Sequence, residues 1–190
     1  MAVLGEMNYP GSVDVAVMAR GTLLEVRKHA ATTPLTRPDG TTTSFARELL
    51  EVHLDEGGQR VIVFAAHFKS QNSDDPGRRL AEAQGAAKIV AASAAEFPDA
   101  LVVLGGDLND DPGSDPINAL TASGELLRVA QDLPPADQLT YLGFGGHAFD
   151  HLFVATQARG TCLPGSVKAV CENSGYAGSD HCALRADFGF

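Results

Sequence analysis

Four stretches of this chain end in side chains that can move protons or hold a hard cation. Gly105-Gly106-Asp107-Leu108-Asn109 follows the apolar run 101–104, and His67 closes the apolar run 61–66. Asp150 opens the run His151-Leu152-Phe153-Val154, and Ser179-Asp180-His181 leads into Cys182-Ala183-Leu184. Strand ends that converge on one rim of a sheet are where α/β proteins build sites. Asp107 can take a proton from water or help hold a divalent cation. Asn109, two residues on, would share its face in extended chain and offer a neutral amide donor to a phosphoryl oxygen. Asp180 is a hard oxygen ligand suited to Mg²⁺ or Mn²⁺. His181 can contact a phosphate or stabilise a pentacovalent state, provided a carboxylate fixes its tautomer; Asp150 is the candidate. Together these groups suit attack of water on a phosphate ester, where positioning and charge stabilisation supply most of the catalysis.

Taken singly, each motif also fits a plain structural role. Asp107 to Asn109 could be an Asx-rich turn before Pro112, Ser179-Asp180 a strand cap, and His67 a strand-end histidine. His151 would point away from Asp150 and is read as structural, and His29, His53 and His147 have no assigned partner.

The elements that must position these groups follow from the apolar patterning. Residues 13–19 read as a strand that pairs with 23–26, Asp39-Gly40 as a hairpin turn, and 45–54 and 61–66 as further strands. Asp74-Asp75-Pro76-Gly77 opens a helix whose apolar stripe runs through Leu80, Ala83, Ala87, Val90, Ala94 and Phe97 until Pro98 stops it. Residues 101–104 form a buried strand, Asp115-Pro116 starts a short helix, and 139–142, 149–155, 167–171 and 182–188 are strands. Strands outnumber helices and many lack a helical crossover. That predicts a layered α/β sandwich with substantially antiparallel sheets rather than a doubly wound parallel one.

The bulk composition bounds the rest. The chain has 190 residues, with 44% hydrophobic content and mean hydropathy near zero, which predicts one globular domain over 1–190. No apolar run approaches a membrane span and no signal peptide is visible, so the compartment is open: cytoplasmic, or exported if a parent chain was longer. A formal charge of −10 disfavours strong non-specific binding to duplex nucleic acid. Arg20, Arg27, Lys28, His29, Arg37 and Arg47 nonetheless cluster in the first quarter and would suit a phosphate ester locally, or form a solvated basic face. Cys162 and Cys171 bracket a short loop and could close a disulfide on export. Cys182 reads as core.

Taken together, Gly106-Asp107-Leu108-Asn109, Asp150, Ser179-Asp180-His181 and His67 resemble, in order and rough spacing, the endonuclease/exonuclease/phosphatase (DNase-I-like) superfamily. The resemblance spans about 13–188 and implies a four-layer α/β/β/α sandwich and a divalent-metal-dependent phosphoesterase: a nuclease, phosphodiesterase or phosphatase using Mg²⁺ or Mn²⁺. It assigns Asp107 as a water-activating or metal-linked aspartate and Asn109 as phosphate-binding. Asp180 becomes a metal ligand, His181 the catalytic histidine paired with Asp150, and His67 a phosphate contact. Arg47, in Ser44-Phe45-Ala46-Arg47-Glu48, resembles a substrate-binding arginine of the same branch. The family's early strands, bearing an asparagine and a Gln-Glu, find no counterpart; Glu6 and Asn8 are the only candidates. The resemblance therefore implies a domain incomplete at its N-terminus, which self-associates or takes up a completing segment. The alternatives are an inactive family fragment that keeps the fold without its main metal-binding glutamate, and a secreted disulfide-containing binding module.

Overall fold

The computed structural model describes residues 1–5, 13–29, 33–173 and 175–190. In chain order the first half comprises β1 (Ala2–Leu4), β2 (Ala16–Met18), β3 (Thr22–Lys28), β4 (Leu35–Thr36), β5 (Thr42–Thr43), β6 (Leu50–Glu56), β7 (Gln59–His67) and α1 (Pro76–Glu96). The second half adds β8 (Leu101–Asp107), α2 (Asp115–Thr121), β9 (Leu126–Arg128), β10 (Asp150–Ala155), β11 (Thr161–Cys162), β12 (Lys168–Val170), β13 (Ala183–Arg185) and β14 (Phe188–Gly189). Six strands make one mixed sheet in the order β3-β6-β7-β8-β10-β9, and within it only β7 and β8 run parallel. A parallel pair needs a long crossover, and α1 is that crossover.

Helix α1 starts where the sequence signals it. The Asp75 side chain accepts a hydrogen bond from the Arg78 N–H at 3.0 Å, and Pro76 occupies the first turn, where no N–H is needed. At the far end the Phe97 N–H still reaches the Ser93 carbonyl at 3.0 Å before Pro98 ends the run. Ala83, Ala86, Val90 and Ala94 press onto Ile62 and Phe64 of β7 and Val102 and Leu104 of β8, all fully buried in one core. Alternation then puts Val61, Val63, Ala65 and His67 of β7 on the opposite face.

That opposite face carries the second β layer. The antiparallel pair β1–β2 packs through Val15 and Val17 on Leu50, Val52 and Leu54, and the pair β12–β13 lies beside β10. Between β2 and Leu184 of β13 runs a cleft of about 680 Å³, floored by Val63, Ala65, Gly105 and Leu152 and ending at His67 and Asp107. Helices, main sheet and second β layer are thus stacked in the order expected of the α/β sandwich.

Several local expectations change. The strand at 23–26 does not pair with 13–19: β3 pairs with β6, and β2 with β1. The strand over 45–54 begins only at Leu50, because 44–49 turns beneath α1. Residues 139–142 are not a strand; they make isolated bridges through Tyr141 and hydrogen bonds through Thr140. The Asp39-Gly40 hairpin is present, joining β4 to β5. Glu6 and Asn8 lie outside the described residues.

The disulfide also differs. Cys171 bonds to Cys182, and Cys162 is free. The cause is register. Pairing of Val170 with Ala183 across β12–β13 sets Cys171 opposite Cys182, while Cys162 sits in β11 against β14. Half of the basic cluster is spent on carboxylates. Arg27 binds Glu25 and Glu96, Arg37 grips Asp75 with two bonds of 2.8 and 2.7 Å, and His29 meets Glu51 at 2.7 Å.

Candidate active site

Strand register assembles the site. The parallel β7–β8 pair aligns His67 with Asp107, and antiparallel β10 aligns Asp150 with the same Asp107. Three side chains from three strands therefore stand in one row, on the face away from α1 and at the end of the cleft. Gly106 is required for this. Its φ is +143°, and a Cβ there would fall 1.9 Å from the Ala66 carbonyl oxygen, so only glycine allows the neighbouring strands so close.

His181 joins the row from the C-terminal segment. The Cys182 N–H donates to the Thr140 carbonyl at 2.6 Å, and Tyr141 bridges to His181. The imidazole Nδ1 then lies 2.7 Å from Asp150 Oδ2, while the Asp150 N–H donates to Thr140 Oγ1 at 3.0 Å. The carboxylate fixes the tautomer and leaves Nε2 for a ligand.

The charges in the row act on one another. Burial and the Asp150 charge push the Asp107 carboxyl above its usual range, against an opposing hydrogen bond from the Asn109 N–H. His67 stands 3.6 Å from Asp107 and is lowered to about 4 by burial and the Arg47 charge, so it is neutral at neutral pH and can donate one N–H. Burial works against the His181 cation, but the Asp150 hydrogen bond and charge, with Asp107 and Asp180, outweigh it and raise the group. A carboxyl raised toward neutrality beside an imidazole raised above its normal value is the pairing expected of a proton-transfer site.

Around the row, three loops are tied together. The Phe68 carbonyl accepts from Arg47 Nη1 at 2.9 Å and from Asn109 Nδ2 at 3.2 Å, which brings Arg47 and Asn109 to one point. Asn109 does not continue the strand as assumed from sequence: β8 ends at Asp107 and Asn109 turns to φ +55°, a left-handed conformation that asparagine tolerates. Its Nδ2 carries a second hydrogen besides the one given to Phe68. Arg79, nearly buried, donates to Asp110 and Asp74 at 2.7 Å each and to the Lys69 carbonyl at 3.2 Å. Glu82 of α1, 0% exposed, accepts from the Ala46 N–H with one oxygen and from the Lys69 N–H at 2.7 Å with the other. It holds the Arg47 loop and the His67 loop together from beneath.

Asp180 is exposed and beside the row; its charge reaches His181. Among the described residues no three His, Cys, Asp or Glu side chains gather as a metal cage. Sequence reasoning missed several supporting groups. His147 is bound by Asp111 at 2.7 Å; His53 meets Glu51 at 2.7 Å, and Glu51 also binds His29. His151 does face away from Asp150, bonded to Arg128 and the Asp110 carbonyl. The Asp110-Asp111 run straight after Asn109 was the available signal: carboxylates there are placed to hold Arg79 and His147.

Glu82 gives a first test. Burial raises its carboxyl to about 7 against the N–H bonds it accepts. Its folded value lies above the unfolded one, so its contribution to stability is whole at low pH and declines as pH rises from about 4.5 to about 7. Glu82→Ala should lower stability by about 1–3 kcal/mol, because two backbone N–H groups lose their acceptor. It should also raise KM through the loosened Arg47 loop. Unfolding curves from pH 4 to 8 and steady-state kinetics check both; identical curves and KM would show that the tie is idle.

The model of the endonuclease/exonuclease/phosphatase family matches residues 6–181. The chain belongs to that family. No curated protein sequence matches it. Among solved structures, the human Nocturnin catalytic domain with bound sulfate anion superposes with a TM-score of 0.72 at 15% identity, covering 100% of this chain and 72% of that one. TDP2 of D. rerio complexed with single strand DNA product gives 0.68 at 18% identity, over 100% of this chain and 77% of that one. Beta toxin of Staphylococcus aureus gives 0.58 at 15%, over 94% and 70%. At such identities the likeness establishes the fold, which is the DNase-I-like α/β fold. The family places the chain among phosphoesterase- and nuclease-like proteins, and no helix among the described residues is long and apolar enough to cross a membrane.

Proposed function

We propose that this chain hydrolyses a phosphodiester of a nucleic acid with the help of Mg²⁺ or Mn²⁺. The observation that carries the proposal is the strand-register row of His67, Asp107 and Asp150, completed by His181 on Asp150. Asp107 is the group that takes the proton of the attacking water as its oxygen bonds to phosphorus; the P–O bond opposite breaks, and the departing sugar oxygen leaves as the alcohol, protonated from solvent. His181, held as a cation by Asp150, donates to a phosphoryl oxygen as charge builds there. Neutral His67, Arg47 and the second amide hydrogen of Asn109 fix the phosphate, so that attack is in line. The single-stranded DNA product in the TDP2 complex is the comparison that favours a nucleic-acid ester.

The donor set bears on the metal. Asp107 and Asp180 are hard oxygen donors, and Mg²⁺ is commonly held by one or two carboxylates together with water and substrate phosphate. Among the described residues no thiol–imidazole cluster suited to zinc stands at the row. When bound, such an ion would supply charge stabilisation to the phosphoryl oxygens. The described carboxylates do not form a closed cage, so the ion should be weakly held and exchangeable.

Turnover of a short single-stranded oligonucleotide and of a bis-aryl phosphodiester tests the reading. Hydrolysis should need added Mg²⁺ or Mn²⁺ and stop in excess EDTA. Full turnover in EDTA would remove the metal from the proposal. No turnover with any divalent ion would favour a chain that keeps the family fold without its activity.

A further inference from the structure

We propose that Phe144, backed by Tyr141, is a stacking platform for an unpaired nucleobase of a single-stranded substrate whose phosphodiester lies at Asp107 and His181. The inference rests on the phosphoesterase reading and names the part of the substrate beyond the phosphate.

Phe144 is 94% exposed. A single exposed apolar side chain means little by itself. Its setting is what gives it meaning. The Tyr141 and His147 backbones bond to each other in both directions, at 3.0 and 2.7 Å, so residues 142–146 project as a closed loop. At its tip, in a short 3₁₀ turn, Phe144 has φ +51° and ψ +30°. A bulky side chain held left-handed costs roughly 1–2 kcal/mol. Glycine would remove that cost, and glycines already stand at 143, 145 and 146. The chain thus spends conformational energy to display an aromatic ring in water, which by itself stabilises nothing in the fold.

The ring also leads to the catalytic row. Its centroid is 6.5 Å from that of Tyr141 at 33°, and Tyr141 is 5.1 Å from His181. One ring therefore separates the exposed phenyl from the proposed proton donor, within reach of a nucleotide or two. Tyr141 is held from behind by Phe149 at 5.7 Å and 15°, which stacks on His147 at 4.6 Å and 12°. His147 is fixed by Asp111, which follows Asn109 in the phosphate-side loop. Gly143 lies against the Tyr141 hydroxyl, where a Cβ would come within 2.6 Å, so the loop closes directly onto that ring. Loop, ladder and phosphate-side residues form one unit.

A planar base fits this ladder better than a lipid chain. The loop offers one fully exposed ring and a partly exposed Leu142, far less apolar area than an interfacial anchor buries. It also favours single strands. Bases in a duplex hide their faces, whereas stacking on an aromatic ring is indifferent to sequence and to the net negative charge that weakens backbone tracking.

Dye-labelled thymidine phosphorothioate hexamer, titrated by anisotropy in Mg²⁺ against the full chain, tests this beside a hexamer of the same backbone without bases. Phe144→Ala should weaken the thymidine hexamer roughly 5- to 100-fold, Phe144→Trp should restore it, and the base-free hexamer should bind both alike. The thermal midpoint of Phe144→Ala should be unchanged or higher, since φ +51° suits a smaller residue no worse. Equal affinity of wild type and Phe144→Ala for the thymidine hexamer would overturn the proposal. So would an equal loss for both hexamers, Phe144-dependent binding to phosphatidylcholine vesicles alone, or a change of oligomeric state on a sizing column. Failure of the phosphoesterase reading would appear separately, as base-dependent binding with no hydrolysis of the ordinary hexamer.

Discussion

Replacing His181 by alanine is expected to lower phosphodiester turnover by at least ~10²-fold, and Asp107→Ala to do the same, with the fold retained. Both side chains are partly exposed, Asp107 at the end of the cleft, so neither substitution leaves a buried hole. Asn109→Ala should lower turnover less, since it removes one neutral donor. It should also lower stability, because the Phe68 carbonyl loses a partner and a left-handed backbone position passes to a residue that suits it less. The pH profile separates the roles. Asp107 must be ionised to accept a proton, so the acidic limb should lie above the usual carboxylate value of 3.8. His181 must be protonated to donate, and its raised value places the basic limb above 6.5. Asp150→Asn should bring the basic limb down and leave the acidic limb near its place or lower, since Asp107 loses a like charge. Unchanged turnover in Asp107→Ala or His181→Ala would return these residues to a structural role.

His67 adds a stability counterpart. Its folded value near 4 lies below the ordinary 6.5, so the unfolded chain binds the extra proton between those values. Stability tied to His67 is therefore whole above about 6.5 and is lost as pH falls toward 4.

The parts of this site visible in the sequence are those fixed by local pattern. The continuous run before His67 and the double glycine before Asp107 mark strand ends, and strand ends are where register can gather side chains. The sandwich class follows from the same runs. Which strands pair was not visible. The loop at 19–22 gave a plausible hairpin between β2 and β3, but the two strands went to different layers because Val15 and Val17 cover the face of β6 while β3 extends its edge. Asn109 was misplaced by assuming that a strand continues past Asp107. The Asp107 carboxylate takes the Asn109 N–H in the local Asx turn that the sequence also allowed, and the Phe68 carbonyl, reached only once the sheet has formed, holds the side chain there. Glu82 reads in sequence as a polar position on a helix. Only the tertiary fold reveals a carboxylate that is buried because two backbone N–H groups from separate loops need it.

The Cys171–Cys182 bond leads to the second large expectation. With a separation of 11 residues it closes the loop that carries Ser179, Asp180 and His181, and Cys182 is the direct neighbour of His181. A cross-link of this span stabilises by about 2–4 kcal/mol, mainly by restricting the unfolded chain. Here it should also position a reacting group. Asp150 sits on the rigid main sheet, but His181 comes from a segment held by the short two-stranded pairs β12–β13 and β11–β14, outside that sheet. Reduction leaves the Cys182 N–H bond to Thr140 and the Tyr141 bridge as the remaining anchors beside it. Opening the bond by mild reduction, or in Cys171→Ser with Cys182→Ser, should lower the thermal midpoint. Well below that midpoint, turnover should still fall about tenfold, with the basic limb moved down as His181 spends less time on Asp150. Thiol titration gives the control. The native chain should offer the Cys162 thiol and the reduced chain all three cysteines, and alkylating Cys162 alone should leave turnover intact. A lowered midpoint with unchanged turnover and pH profile would make the bond a staple of the fold with no part in placing His181.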